Sequence, residues 1–226
     1  MDADVEPRLR QAVDASLAWY DDIFALHGIP RVRTDVLWHA LADPPPYHST
    51  VKTITPGAST EAVVAAAAAL DGGSIADSFG DLQPPGFDLL FEAQWLHVPG
   101  RETRTMPAGW SVVSRPEALA LWCELHDYVG VLPPAVLQHP RITVLGLFSG
   151  RDLLGGAVLH DGAEAVGLSN TWSVPEHPID HGEVLAAARA VHPDRSLTDY
   201  ASGDELTSML DAGFEPVGPQ RVWVRR

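Results

Sequence analysis

The stretch VGLSNTWSVPEHPIDHGEVLAAARAV, residues 166–191, decides the reading of the fold. Its first part belongs to a run from Ala163 to Val174 that reads as a β-strand bounded by polar residues. Its last part, Gly182 to Val191, is an alanine-rich helix. Asp180, with Glu183 three residues on, signals the helix start, and Pro193 stops it. A short strand follows at Ser196 to Ala201. Ser202 and Glu205 then cap a helix that runs to Leu210 and ends at Gly213, and Phe214 to Val224 gives a last strand or hairpin.

Upstream of this stretch, Ser114-Arg115-Pro116-Glu117 has the form of a capping box opening a helix whose inner face is Leu119, Trp122, Leu125 and Tyr128. Arg141 to Leu147 and Gly155 to Leu159 read as strands joined by the turn Ser149-Gly150-Arg151-Asp152. The second half therefore runs helix, three strands, helix, strand, helix, strand. In the first half, Leu9, Val13, Leu17, Tyr20 and Phe24 recur at the spacing of one helical face, and Gly28 with Pro30 ends that helix. Ser49 to Thr55 alternates like a half-buried strand, Thr60 to Leu70 is a helix with Ser59 as N-cap, and Gly73 to Phe79 and Phe87 to His97 are further strands. The Pro- and Gly-rich segment Val98 to Gly109 divides the chain into residues 1–105 and 106–226. The expected class is α+β, a mostly antiparallel mixed sheet flanked by helices.

Composition bounds the function. The 226 residues carry 30 acidic against 15 basic side chains, a net charge of −15, and Lys52 is the only lysine. Such a surface repels polyanions, so no nucleic-acid partner is expected. Cys123 stands alone, which excludes an internal disulfide and a multi-cysteine metal site and suits a reducing compartment. The N-terminal residues MDADVEPRLRQAV have no apolar core of a secretory signal. The longest apolar run, Ala62 to Leu70, is far short of the ~20 residues that span a bilayer. A cytoplasmic protein without membrane contact is expected, and the composition leaves room for a homodimer.

The order of elements in the second half, together with the ending Gly213-Phe214-Glu215-Pro216-Val217-Gly218, resembles the GNAT superfamily of N-acetyltransferases. The resemblance covers about Trp110 to Val224 and leaves the first half open to being a degenerate second copy of the fold. It implies that Val166-Gly167-Leu168-Ser169-Asn170 ends the strand whose backbone amides receive the acyl group and pantetheine arm of acetyl-CoA or another acyl-CoA. Leu168, Ser169, Asn170, Thr171 and Trp172 are then the cofactor-binding residues, and the acceptor is the amine of a small molecule or peptide. Two positions depart from the family pattern. The glycine-rich pyrophosphate loop is replaced by Val174 to Gly182, which has a single glycine and the acids Glu176 and Asp180. The tyrosine four residues before the Gly-Phe pair, the family's proton donor, is Met209. Tyr200 is the candidate substitute. These departures also motivate an alternative: a degenerate fold that no longer uses acetyl-CoA and acts as a small-molecule binder or repurposed enzyme.

For a general base, the acids on the first-half strands are the candidates. Asp77, Asp81 and Glu92 lie near Trp95 and His97, and Glu92 or Asp77 would deprotonate the amine, although any one of them also reads as a surface acid of an acidic protein. His177 and His181 have the spacing of a helical metal pair, but Pro178 disfavours helix at His177, so the plain helix start is expected and no metal is assigned. Cys123, His126 and Asp127 lie within one helical turn. A buried structural cysteine beside solvated polar residues is the expected reading there, because nucleophile triads are assembled from separate elements.

Overall fold

One sheet of eleven strands runs through both halves of the chain in the computed structural model, which describes residues 5–101 and 105–226. Residues 1–4, part of the stretch read for a secretory signal, and 102–104, inside the expected dividing segment, lie outside the described residues. The first half comprises α1 (Pro7–Leu26), β1 (Arg31–Arg33), β2 (Leu37–Ala40), β3 (Val51–Thr53), α2 (Thr60–Ala67), β4 (Ser74–Asp77) and β5 (Phe87–Val98). The second comprises β6 (Trp110–Val112), α3 (Pro116–Leu125), a 3-10 turn (Pro134–Gln138), β7 (Ile142–Ser149), β8 (Asp152–Asp161), β9 (Val166–Ser173), α4 (His181–Val191), β10 (Leu197–Ala201), α5 (Gly203–Asp211) and β11 (Glu215–Arg225).

The strand order is β1-β2-β3-β4-β11-β5-β10-β9-β8-β7-β6. Only β3–β4 and β9–β10 are parallel, and each of these pairs is connected through one helix, α2 or α4. Read outward from the central antiparallel pair β5–β11, the two wings share the succession antiparallel, parallel, antiparallel, antiparallel, and the second wing adds one further antiparallel strand, β6. The topology is thus repeated, and the last strand of each half lies beside the parallel pair of the other.

Alternation along the strands sorts the core into two layers. Val144, Val158 and Trp172 face one way and pack with Leu17, Ile23 and Phe24 of α1 and Trp122 of α3. Leu145, Ala157, Leu159 and Leu96 face the other way and pack with Val184, Leu185 and Ala188 of α4 and Met209 of α5. Trp122 is wholly enclosed and donates its indole N–H to the Leu145 carbonyl at 3.0 Å, so its one polar atom is satisfied.

The helix start at Thr60 matches expectation and that at His181 lies one residue before the expected Gly182, with Ser59 and Asp180 accepting from Ala62 and Gly182 backbone N–H groups; at the start of α1, Glu6 accepts from Leu9 N–H. Two caps differ. Arg115, not Ser114, is the N-cap of α3, and Ser202 precedes α5 without a side-chain cap bond. Leu125, expected on the inner face of α3, is exposed, because the buried stripe of the helix runs through Leu119, Trp122 and Cys123 and Leu125 lies to one side of it. β11 is one strand carrying Pro216 and Pro219, accommodated by a bulge between Pro216 and Gly218.

Candidate functional site

β9 and β10 pair only at Val166 with Leu197 and at Gly167 with Thr198. Past that point β9 continues along β8 and β10 continues along β5, so the two strands part and their facing edges are left without a ladder. A bulge turns β9 at the same place. Gly156 lies opposite Trp172 and Val158 opposite Ser169, so Asn170 and Thr171 together face Ala157. Asn170 is left-handed, with φ 53°, a conformation that asparagine tolerates better than most residues.

The opening leads into a cavity of about 260 Å³ beneath α1. Space exists there because α1 presents Ala12, Ala15 and Ser16 to the sheet, where larger apolar residues would fill it. Thr198 and Tyr200 pair with His97 and Trp95 and face α1 with them, whereas Asp199 faces α5. Residues from both faces line the cavity, so it runs through the gap between β9 and β10.

Burial dominates the electrostatics of the lining. Lys52 is 1% exposed, and burial pulls its ammonium down to about 7. The ammonium sits over two rings, 5.1 Å from the Trp95 centroid and 5.2 Å from that of Tyr20. Burial pushes the Asp199 carboxyl well above the usual carboxylate range, Glu205 adds to the rise, and the Tyr200 N–H donated to Asp199 at 2.7 Å only partly opposes it. The phenols of Tyr128 and Tyr200 are pushed up by burial and stay protonated. Of three histidines in the lining, His48 has both ring nitrogens engaged, by Trp19 Nε1 at 3.1 Å and the Pro46 carbonyl at 2.9 Å. His160 donates from Nε2 to Asp22 at 2.7 Å, and its Nδ1 is enclosed. His126 is part-exposed, stacks on Trp172 and is hydrogen-bonded to the Asn170 side chain, and burial lowers its pKa.

No family model matches the sequence, and no curated protein matches it. Solved structures do. A GCN5-related N-acetyltransferase from Kribbella flavida superposes with a TM-score of 0.65 at 15% identity, covering 95% of this chain and 96% of that one. The chain has a GNAT-like fold. A GNAT-family acetyltransferase structure from Novosphingobium aromaticivorans gives 0.61 at 11% identity, covering 96% and 95%. Saccharomyces cerevisiae N-myristoyltransferase with bound myristoyl-CoA gives 0.55 at 9%, covering 87% of this chain and 64% of that one.

Within this GNAT-like frame, Leu168, Ser169, Asn170, Thr171 and Tyr200 line the cavity. Trp172 does not: it is buried between Trp122 and His126 as a packing residue. The two expected bases lie elsewhere. Ala93 and Trp95 face α1, so alternation turns Glu92 to the far face, where its exposed carboxylate accepts from Arg221 Nε at 2.5 Å. Asp77 is buried and accepts from the backbone N–H groups of Phe79, Gly80 and Leu82, which makes it the organiser of a turn. Asp77 also ends β4, whose parting from β3 is the counterpart of the β9–β10 opening. There the gap is closed by Ser78, which donates its N–H to Thr53 Oγ1 at 2.8 Å and its hydroxyl to the Thr53 carbonyl at 2.7 Å.

Cys123 is buried and its thiol is pushed up to about 11, which fits the structural reading. His181 is buried at the start of α4 against Ser208 Oγ at 2.9 Å, and among the described residues no group of three or more His, Cys, Asp or Glu side chains is placed to hold a metal. Lys52 and Gln220 are not among the residues the sequence points to, and His126 is there only as a solvated neighbour of Cys123. For the first, alternation in the run Ser49 to Thr55 puts Lys52 on the face opposite Val51, which reads as solvent-facing, whereas β3 is buried on both faces.

Proposed function

We propose that the protein is an acyltransferase that moves an acyl group from acyl-CoA to the amine of a small molecule. The parting of β9 and β10 beside the bulged Asn170 carries this reading. Strand-edge N–H and C=O groups without a ladder partner suit the amides of a pantetheine arm, and N–H groups at Leu168 to Thr171 suit the carbonyl oxygen of a thioester. Bound acyl-CoA would supply the acyl group already activated as that thioester.

The chain's own residues divide the remaining work. Among the cavity histidines His126 alone combines access with a free ring nitrogen, and its lowered pKa keeps it neutral, so it takes the proton of the attacking amine. Tyr200, across the opening on β10 and protonated, donates to the departing thiolate, the role that the buried Met209 leaves empty. Trp19, Tyr20 and Trp95 wall the acceptor end and limit water there.

One observation favours the second reading. Asp180 accepts from Gly182 N–H at 2.7 Å, so a carboxylate already occupies the α4 N-terminus, where a pyrophosphate would otherwise be met by free backbone N–H groups. The deciding experiment is calorimetric titration with acetyl-CoA, with thermal shift in parallel. Saturable binding is expected, with stability rising by about 2.7 kcal/mol at 100 times Kd. No binding at millimolar acetyl-CoA overturns acyl transfer and leaves a small-molecule binder or repurposed enzyme.

A further inference from the structure

Lys52 narrows the class of acceptor. It projects from the middle of β3 toward α1, on the face shared by Trp95 and Gln220, and lines the cavity. It is fully buried, and among the described residues no ion pair includes it. Its ammonium lies over the ring faces of Tyr20 and Trp95, and His48, which feels its charge, is held neutral by burial and offers it no counter-charge. Gln220, 3% exposed in the same lining, has its amide oxygen buried without a hydrogen-bond partner. A lysine kept for packing alone would be better replaced by an apolar chain of similar length, because an isolated buried cation opposes folding. An anion delivered into the cavity would remove that penalty at the moment of binding.

The lining also fixes the charge of that anion. Lys52 is the one lysine or arginine among the cavity residues, and Asp199 and Glu205 lie at the α5 side of the same space. A phosphate dianion needs several donors, such as an arginine fork or a helix N-terminus, and none lines this cavity. A single flexible ammonium matches a carboxylate, and the unpartnered Gln220 oxygen offers an acceptor for an N–H on the same molecule.

We infer that Lys52 anchors a carboxylate of the acceptor, which makes the acceptor an amine that also carries a carboxylate, an amino acid or a close relative. The fate of the amine rests on the acyl-transfer reading above; the anchor does not.

The test uses the full chain, and calorimetry with single amino acids and their carboxamides as probes. The expected result is that at least one amino acid binds about 10- to 100-fold more tightly than its amide, and that the preference falls below about threefold in Lys52→Met while that variant still melts cooperatively. Lys52→Gln serves if the methionine variant does not fold. Equal binding of acid and amide, a preference that survives in the variants, or no amino-acid binding at millimolar concentration each overturns the anchor. A separate acetyl-CoA titration keeps the two ideas apart. Amino-acid binding through Lys52 without acetyl-CoA binding defeats acyl transfer alone, and acetyl-CoA binding without a carboxylate preference defeats the anchor alone.

Discussion

Asp22, near the end of α1, accepts a hydrogen bond at 2.7 Å from His160 of β8, 138 residues later in the chain. The same carboxylate binds Arg141 and lies 3.9 Å from His139, so one buried acid ties the first helix to the second half. Asp22→Ala strands His160 and Arg141 together. The expected loss is about 2–4 kcal/mol of unfolding free energy by urea denaturation, with Asp22→Asn costing less because it can still accept from His160. A loss under about 1 kcal/mol for the alanine variant contradicts this role.

The buried lysine makes stability depend on alkaline pH. Its folded-state value of about 7 lies below the ordinary 10.5, so between these limits the unfolded chain holds more protons than the folded one. Stability therefore rises as pH climbs from 7 toward 10.5. Lys52→Met should stabilise the protein by roughly 3–5 kcal/mol at pH 6, with the gain fading as pH approaches 10.5. Denaturation of both proteins at pH 6, 8 and 10 measures it, and a gain that does not change with pH rules the explanation out.

His48 gives a complementary acid limb. Burial lowers it from 6.5 to about 4, and both its nitrogens are engaged in the neutral form. The unfolded chain takes up the proton first, so stability falls as pH drops from 6.5 toward 4. In His48→Gln that fall should be shallower, although the variant is weaker at pH 7. An unchanged slope over this range would assign acid sensitivity to other groups.

Asn170 makes the β9 bulge affordable and presents its amide to His126 and Tyr128. Asn170→Gly should keep the melting temperature near that of the parent while reducing turnover, since glycine accepts φ 53° but carries no amide. Asn170→Val should also lose about 1–2 kcal/mol of stability, because a β-branched residue is strained there. Equal turnover in the parent and both variants would remove Asn170 from the site.

A methyl group at Gly156 would lie 2.1 Å from Trp122 Nε1 and 2.5 Å from the Leu145 carbonyl, the two ends of one hydrogen bond. Gly156→Ala must displace a wholly buried tryptophan. A loss of about 2–4 kcal/mol is expected, with reduced near-ultraviolet circular dichroism from Trp122. A normal melt and spectrum would show that the tryptophan can shift without cost.

Much of this architecture was legible in the chain. Helical spacing from Leu9 to Phe24 gave α1, and caps at Ser59 and Asp180 located two more helix starts. The strands β1, β2 and β6 are not legible in the sequence, because three or four residues carry too little alternation to read. The strand β9 is placed by resemblance, and the cavity-lining Leu168 to Thr171 come with it. The bases were misplaced for a physical reason. Which face a strand residue takes depends on register with β11, and nothing in the run Phe87 to His97 states that Glu92 points away from α1.

The central strand pair bears on how the chain comes to be folded. β11 is the last of the eleven strands to leave the ribosome, yet it lies in the middle of the sheet between β4 and β5. Until it emerges, β5 has an open flank, and β4 is paired on one side only, with β3. Folding must await pairings between residues more than a hundred positions apart, such as Arg221 with Glu92, which slows it. Residues 1–101 and 105–226 expressed apart should each remain poorly structured and recover a cooperative melt when mixed. The strand that closes the centre of the sheet is thus the last of the eleven to be made.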